Sequence, residues 1–121
     1  MNMTMTTREV GGVLVVDISG RIVLGEESAA LRNLVRDLLS NGHKKILFNL
    51  QHVSYIDSSG LGHLVSAFTT VQKEKGQLKL LNLTKNVHDV MQITKLYTIF
   101  DIMDDEVVAV RSFAQPHAAT A

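Results

Sequence analysis

The stretch KKILFNLQHVSYIDSSGLGHLVSAF, Lys44 to Phe68, changes its apolar period midway, and that change decides the fold. KKILFNL, Lys44 to Leu50, is a short continuous apolar run of the kind a central strand covered on both faces requires. QHVSYID reads as a loop. Beyond it Leu61, Leu64, Val65, Phe68 and Val71 recur at helical spacing. Asp57 is the helix cap, since its carboxylate can accept from the N–H of Ser59 or Gly60 and meets the positive end of the helix dipole. Ser58 and Ser59 fill the first turn, followed by Gly60, Leu61 and Gly62. Glycine inside a helix costs about 1 kcal/mol relative to alanine, so two of them at a helix start need a reason. Either they clear side chains so that another macromolecule's active site can approach the serines, or they let the helix pack closely on a strand.

Working outward, GVLVVDISG, Gly12 to Gly20, is rich in β-branched residues and bounded by glycines, which predicts a strand, and TMTTREV before it pairs with it as a hairpin. From Glu26 the stripe Leu31, Leu34, Val35, Leu38 and Leu39 predicts a helix stopped by Asn41 and Gly42. Gly76, after the cation-rich Lys73, Glu74 and Lys75, closes the helix that Asp57 opens. QLKLLNL is a strand, Thr84 caps a third helix carrying Val87, Val90 and Met91, and LYTIFDIM supplies a short strand. Asp104 and Asp105 start a last helix through Val107, Val110 and Phe113. The expected fold is α/β: a single-layer, mixed but mostly parallel sheet of about five strands packed with four helices, with an antiparallel N-terminal edge strand. The expected organisation is one domain over residues 1–113 and a flexible tail over 114–121.

Twelve basic and twelve acidic residues cancel, so the chain lacks the cationic field that non-specific nucleic-acid binding uses. It has no cysteine, hence no disulfide framework, thiolate metal site or thiol nucleophile. The N-terminal MNMTMTTREV is not a signal peptide, and no apolar run approaches the roughly 20 residues that span a bilayer, so a cytoplasmic protein without direct membrane insertion is expected. GRIVLGEE has the glycine spacing of a phosphate-binding loop, but Glu26 and Glu27 stand where Lys and Ser or Thr belong, and acids repel phosphate. Their expected role is to stabilise the positive end of the first helix. Ser59 and His63, four apart, suggest a nucleophile and its base, yet the Gly-x-Ser-x-Gly elbow is absent and no third residue is evident. His63 is expected to be an exposed surface histidine. His43, His52, His88 and His117 are scattered without metal-ligand spacing. No catalytic residue, metal ligand or cofactor is assigned.

The chain resembles the STAS domain family, and within it the small single-domain anti-sigma factor antagonists. The resemblance runs from VLVVDISGRI through KKILFNLQHVSYIDSSGLGHLVSAF and GQLKLLNLTKNVHDVMQITKL to FDIMDDEVVAV, and DSSGLG at the second helix start is its specific part. It implies a non-enzymatic module that, unmodified, binds an anti-sigma factor with serine kinase activity and so frees a sigma factor. The kinase phosphorylates a serine of the Asp-Ser-Ser/Thr-Gly motif, the complex separates, and a metal-dependent serine phosphatase reverses the step. Carried over, the acceptor is Ser59, with Ser58 the alternate, and the partner-binding surface comprises Arg21, Gly25, Ser58, Ser59, Gly60, Leu61 and Gly62. After Gly20, where this family often reads Gly-x-Leu-Asp, the chain has Arg21, Ile22 and Val23, so a loop near the motif differs. Two other readings stay open: a STAS interaction module in a scaffold or transporter-associated assembly, and a small hydrolase using Ser59.

Overall fold

Gly11 and Gly12, at φ 57° and 83°, provide the two left-handed residues of a tight hairpin turn, and they set the N-terminal edge of the sheet. β1 (Met3–Val10) and β2 (Val13–Ile22) flank this turn as an antiparallel pair closed at Val10 and Val13. The computed structural model describes residues 3–23 and 25–114. The tail expected beyond Phe113 therefore falls almost wholly outside the described residues, as do the side chains of Glu26 and Glu27.

The α/β pattern continues with α1 (Glu26–Ser40), β3 (Lys45–Ile56), α2 (Ser58–Lys73) and β4 (Gln77–Leu81). They are followed by α3 (Lys85–Thr94), a 3-10 turn over Leu96–Thr98, the two-residue β5 (Ile102–Met103) and α4 (Glu106–Ala114). The sheet runs β1-β2-β3-β4-β5, antiparallel only between β1 and β2. The parallel, helix-connected remainder is what the strand–helix alternation predicts.

Each sheet face has its own cluster. On one, Leu14, Val16, Ile18, Ile46, Phe48 and Leu80 pack under Leu31 and Val35 of α1, Leu64 and Val71 of α2, and Val87 and Met91 of α3. On the other, Val13, Val15, Leu47 and Leu81 meet Ala109 and Phe113 of α4, with Val10, Met103 and Val110 packed at the margin.

Several expectations need correction. QHVSYID is not a loop: β3 continues to Ile56, pairing Ser19 with His52 and Ile22 with Ile56. Register shifts between Asp17 and Ser19 and between Gly20 and Arg21 absorb the mismatch and interrupt the alternation by which a strand is recognised. LYTIFDIM gives only two strand residues, because its first half, Leu96–Thr98, is a 3-10 turn that follows the left-handed cap of α3 at Lys95, φ 62°. Val107 is 60% exposed, so α4 is held by Ala109 and Phe113 rather than by that valine. α2 ends with Lys75, not Gly76, in the left-handed conformation. Thr84 sits at the N-cap of α3, but its hydroxyl donates to the carbonyl of Val53 at 2.7 Å instead of capping its own helix.

Candidate functional site

The first turn of α2 is built on the ends of β2 and β3. Ile56, the last residue of β3, pairs with Ile22, the last of β2, and the Ile22 carbonyl accepts the N–H of Asp57 at 3.3 Å. Asp57 is extended (φ −103°, ψ −176°) and its carboxylate accepts the N–H of Gly60 at 2.7 Å, while its own carbonyl accepts from Leu61 at 2.9 Å. Asp57 is thus the N-cap, satisfying one of the donors that a helix start leaves without an internal acceptor. From the other side, the N–H of Ile56 donates to Oδ1 of Asn86, on the first turn of α3, at 3.1 Å. With the Thr84–Val53 bond, this ties the end of β3 to α3.

The two glycines divide the two readings between them. Gly60 is buried, and a Cβ there would fall on the carbonyl oxygen of Ile22 and lie 2.9 Å from Ile56 Cγ1. Its role is close approach of helix to strand. Gly62 is exposed, and a Cβ added there would meet nothing within 4 Å, so it leaves the surface bare. Ser58 is exposed and Ser59 half-buried, and neither hydroxyl makes a hydrogen bond with the described residues. Their backbone N–H groups belong to the positive end of the helix, where an anion is favoured.

Arg21 lies near the end of β2 opposite Tyr55, which is 43% exposed, and Gly25 is the exposed N-cap of α1. Arg21, Gly25, Ser58 and Gly62 therefore present surface at the carboxyl ends of β2 and β3, the edge where open α/β sheets carry functional groups. Gly60 and Leu61, the latter 5% exposed, lie beneath that surface and position it. Asn86 was missed by sequence reasoning, since nothing local to residue 86 points to residue 56.

His63 is not the exposed histidine expected. It is half-buried, and its Nε2 is enclosed without a hydrogen-bond partner among the described residues, beside a narrow cavity lined also by Arg32, Val35 and Ser66. No hydrogen bond joins it to Ser59. Among the described residues no three His, Asp or Glu side chains come together as metal ligands. No helix among them is long and apolar enough to cross a membrane.

A second polar cluster, also unforeseen, lies on the opposite face of the sheet. Arg8 grips Asp17 at 2.7 and 3.1 Å and Glu106 at 2.7 and 2.9 Å, and Asn49 donates to Asp17 at 2.8 Å. The hydrogen bond from Arg8 holds the Asp17 and Glu106 carboxyls below their usual range, and those two bonds raise Arg8 further above its own. An Asp inside VLVVDIS signals a need for a partner, and the hairpin brings Arg8 within diagonal reach. Glu106, from the far end of the chain, leaves no such signal.

Comparison with known proteins agrees with this architecture. Residues 4–109 match the STAS domain. The anti-sigma-B factor antagonist of Bacillus subtilis (strain 168) is 34% identical over 102 residues, covering 84% of this chain and 92% of that protein. Among solved structures, an anti-sigma factor antagonist from Mycobacterium paratuberculosis superposes with TM-score 0.79 at 19% identity, covering 94% of this chain and 96% of that one. The Bacillus cell fate determinant SpoIIAA in its phosphorylated form gives TM-score 0.69 at 18% identity, with 90% and 99% covered, and at these identities both speak for the fold. A family match across nearly the whole chain, together with a relative at one-third identity, settles the assignment: the chain belongs to the STAS domain family, among the anti-sigma factor antagonists, which are non-enzymatic regulators.

Proposed function

We propose that this protein is a phosphorylation-controlled antagonist: unmodified, it binds an anti-sigma factor with serine kinase activity and releases a sigma factor, and phosphate on Ser59 ends the binding. Ser58 is the alternate acceptor. A metal-dependent serine phosphatase returns the protein to its binding form, and the cycle belongs in the cytoplasm with its ATP. The observation that carries the reading is the capped helix start at Asp57, where neither serine hydroxyl hydrogen-bonds a described residue. A phosphoryl group there adds roughly −1.5 to −2 charge at the end of a helix that accepts anions, so the fold is spared. The partner, whose surface must desolvate that charge without a matching cation, is not.

Binding to the cognate anti-sigma factor should therefore fall more than about tenfold in Ser59→Asp, while its melting temperature hardly moves. Ser59→Ala should bind as wild type and take no label from kinase and ATP. Phosphopeptide mapping decides the register: label on Ser58 would move the acceptor by one residue and keep the mechanism. No label at all, with wild type and Ser59→Asp binding equally, would sink it.

A further inference from the structure

The peptide groups of β4 alternate between its two neighbours. The N–H of Gln77 donates to the Lys44 carbonyl at 2.7 Å, and the unbroken register from Lys45 with Gln77 to Asn49 with Leu81 turns residues 77, 79 and 81 toward β3. The even residues face the other way: the N–H groups of Leu80 and Asn82 donate to Asp101 and Met103, each at 2.9 Å. Leu78 also faces this side, but β5 pairs only from Ile102, opposite Leu80, and does not extend back to Leu78. Its N–H and carbonyl have no backbone partner among the described residues. The Leu78 side chain lies in the core cluster while the residue also lines an open groove, so its peptide edge is held in place at that groove, and a strand's peptide groups are ordinarily paired.

A groove of about 530 Å³ opens on this stretch. Ile99, 40% exposed, and Phe68, whose ring stands edge-on to Phe100 at 5.2 Å, give it an apolar wall. Its charged residues are Lys75, Lys79 and Asp101. Lys79 is already engaged, 2.9 Å from Ser112 Oγ, 3.6 Å from Asp101 and 4.8 Å from the Phe113 ring centre. Lys75 is exposed and makes no ion pair among the described residues, so the charge left for an occupant to answer is positive.

We propose that this groove is a strand-addition site for an extended peptide segment of a partner protein. One peptide unit of the guest bonds the N–H and carbonyl of Leu78 along the line that β5 leaves vacant, an apolar side chain lies on Phe68 and Ile99, and an Asp or Glu reaches Lys75. The groove suits a few residues, since a strand advances about 3.3 Å per residue. It lies at the amino end of β4, whereas the DSSG helix start lies at the carboxyl ends of β2 and β3, so both surfaces are usable at once. The proposal stands independently of the phosphorylation reading.

The test is amide exchange and chemical-shift mapping on the ¹⁵N-labelled full chain. In the free protein the Leu78 amide should exchange at least about tenfold faster than those of Leu80 and Leu81, which lie in the same strand but are paired. Adding the capped peptide acetyl-Val-Asp-Val-Thr-amide should shift Lys75, Leu78 and Ile99, slow exchange at Leu78, and leave Ser58 to Gly62 unmoved. Replacing the peptide's Asp by Lys, or N-methylating alternate amides, should weaken binding at least about tenfold, and Lys75→Glu should reverse the preference between Asp and Lys peptides. Protection at Leu80 and Leu81 reports that the variant is folded. A Leu78 amide as protected as Leu80 in the free protein would overturn the proposal, as would a peptide that perturbs only the DSSG end or nothing. Leu78 protection that grows with protein concentration would assign the groove to a second copy of this chain and overturn it equally.

Discussion

A methyl group on Gly60 would land on the Ile22 carbonyl oxygen, whereas one on Gly62, two residues along the same turn, would meet nothing within 4 Å. The same conservative change should therefore have opposite signs at the two positions. Gly60→Ala should cost about 1–3 kcal/mol, because backbone of β2 rather than a flexible side chain must move aside. Gly62→Ala should stabilise by about 0.5–1 kcal/mol, since the residue is helical and alanine loses less entropy there. Urea denaturation of both variants measures this, and equal costs would mean that the first turn does not rest on Ile22. That two glycines in a first turn were unusual was legible in the sequence. Their division into a packing role and an exposure role was not, because it depends on where the carbonyl of residue 22 passes beneath residue 60. His63 shows the same limit: its spacing from Ser59 could be read, but the helix α1 that encloses its Nε2 could not.

The elements that sequence periodicity identified well are those that bury one continuous stripe. Leu31, Val35 and Leu38 of α1 are buried, as are Leu61, Leu64 and Val71 of α2, and both helices fall where the 3.6-residue period puts them. β3 runs past its apolar signal because its bulged pairing leaves Gln51 and His52 both exposed, and β5 is shorter than its apolar run because such a run does not reveal the 3-10 turn over Leu96–Thr98. α4 lies where the pattern places it and, with Val107 facing outward, contacts the sheet through Phe113 and Val110 as expected. It rests on a small cluster, and at its start Glu106 is bound through Arg8 to Asp17. Since both carboxyls are held below their usual values, the pair contributes fully above the unfolded carboxylate range and its contribution is lost as pH falls through the lowered folded values. These side chains are 28–40% exposed, so solvent screening limits each pair to about 1 kcal/mol or less. Arg8→Met should accordingly lower stability at pH 7 and flatten its decline between about pH 5 and pH 3. Urea titrations at these pH values check it, and a variant with the wild-type slope would show that the cluster contributes nothing to folding.

Across the whole molecule, the unequal faces of the sheet imply unequal stability. The face carrying α1, α2 and α3 holds most of the buried side chains, and the helix bearing Ser58 and Ser59 is anchored there through Leu64 and Val71, each fully buried. Among the described residues α4 covers the other face with two buried side chains, Ala109 and Phe113, and Val110 beside them, so it is the element able to detach while the remaining sheet stays closed. Truncating each anchor should then produce different outcomes, and not in the order of side-chain size. Leu64→Ala leaves a cavity under the candidate site and should cost about 2–5 kcal/mol globally, lowering exchange protection throughout β2 and β3. Phe113→Ala removes a larger side chain, but its global cost is capped by the free energy of releasing α4, so protection should fall in α4 while β2 and β3 keep theirs. Because Asp57 is held by Ile22 and Gly60 and the end of β3 by Asn86, none of them on α4, Phe113→Ala should also retain binding to the anti-sigma factor. Site-resolved hydrogen exchange and a binding isotherm on the same two variants decide the matter. If Phe113→Ala loosened β2 and β3 as much as Leu64→Ala does, the two faces would form one cooperative unit, and α4 would be part of what holds the switch surface in place.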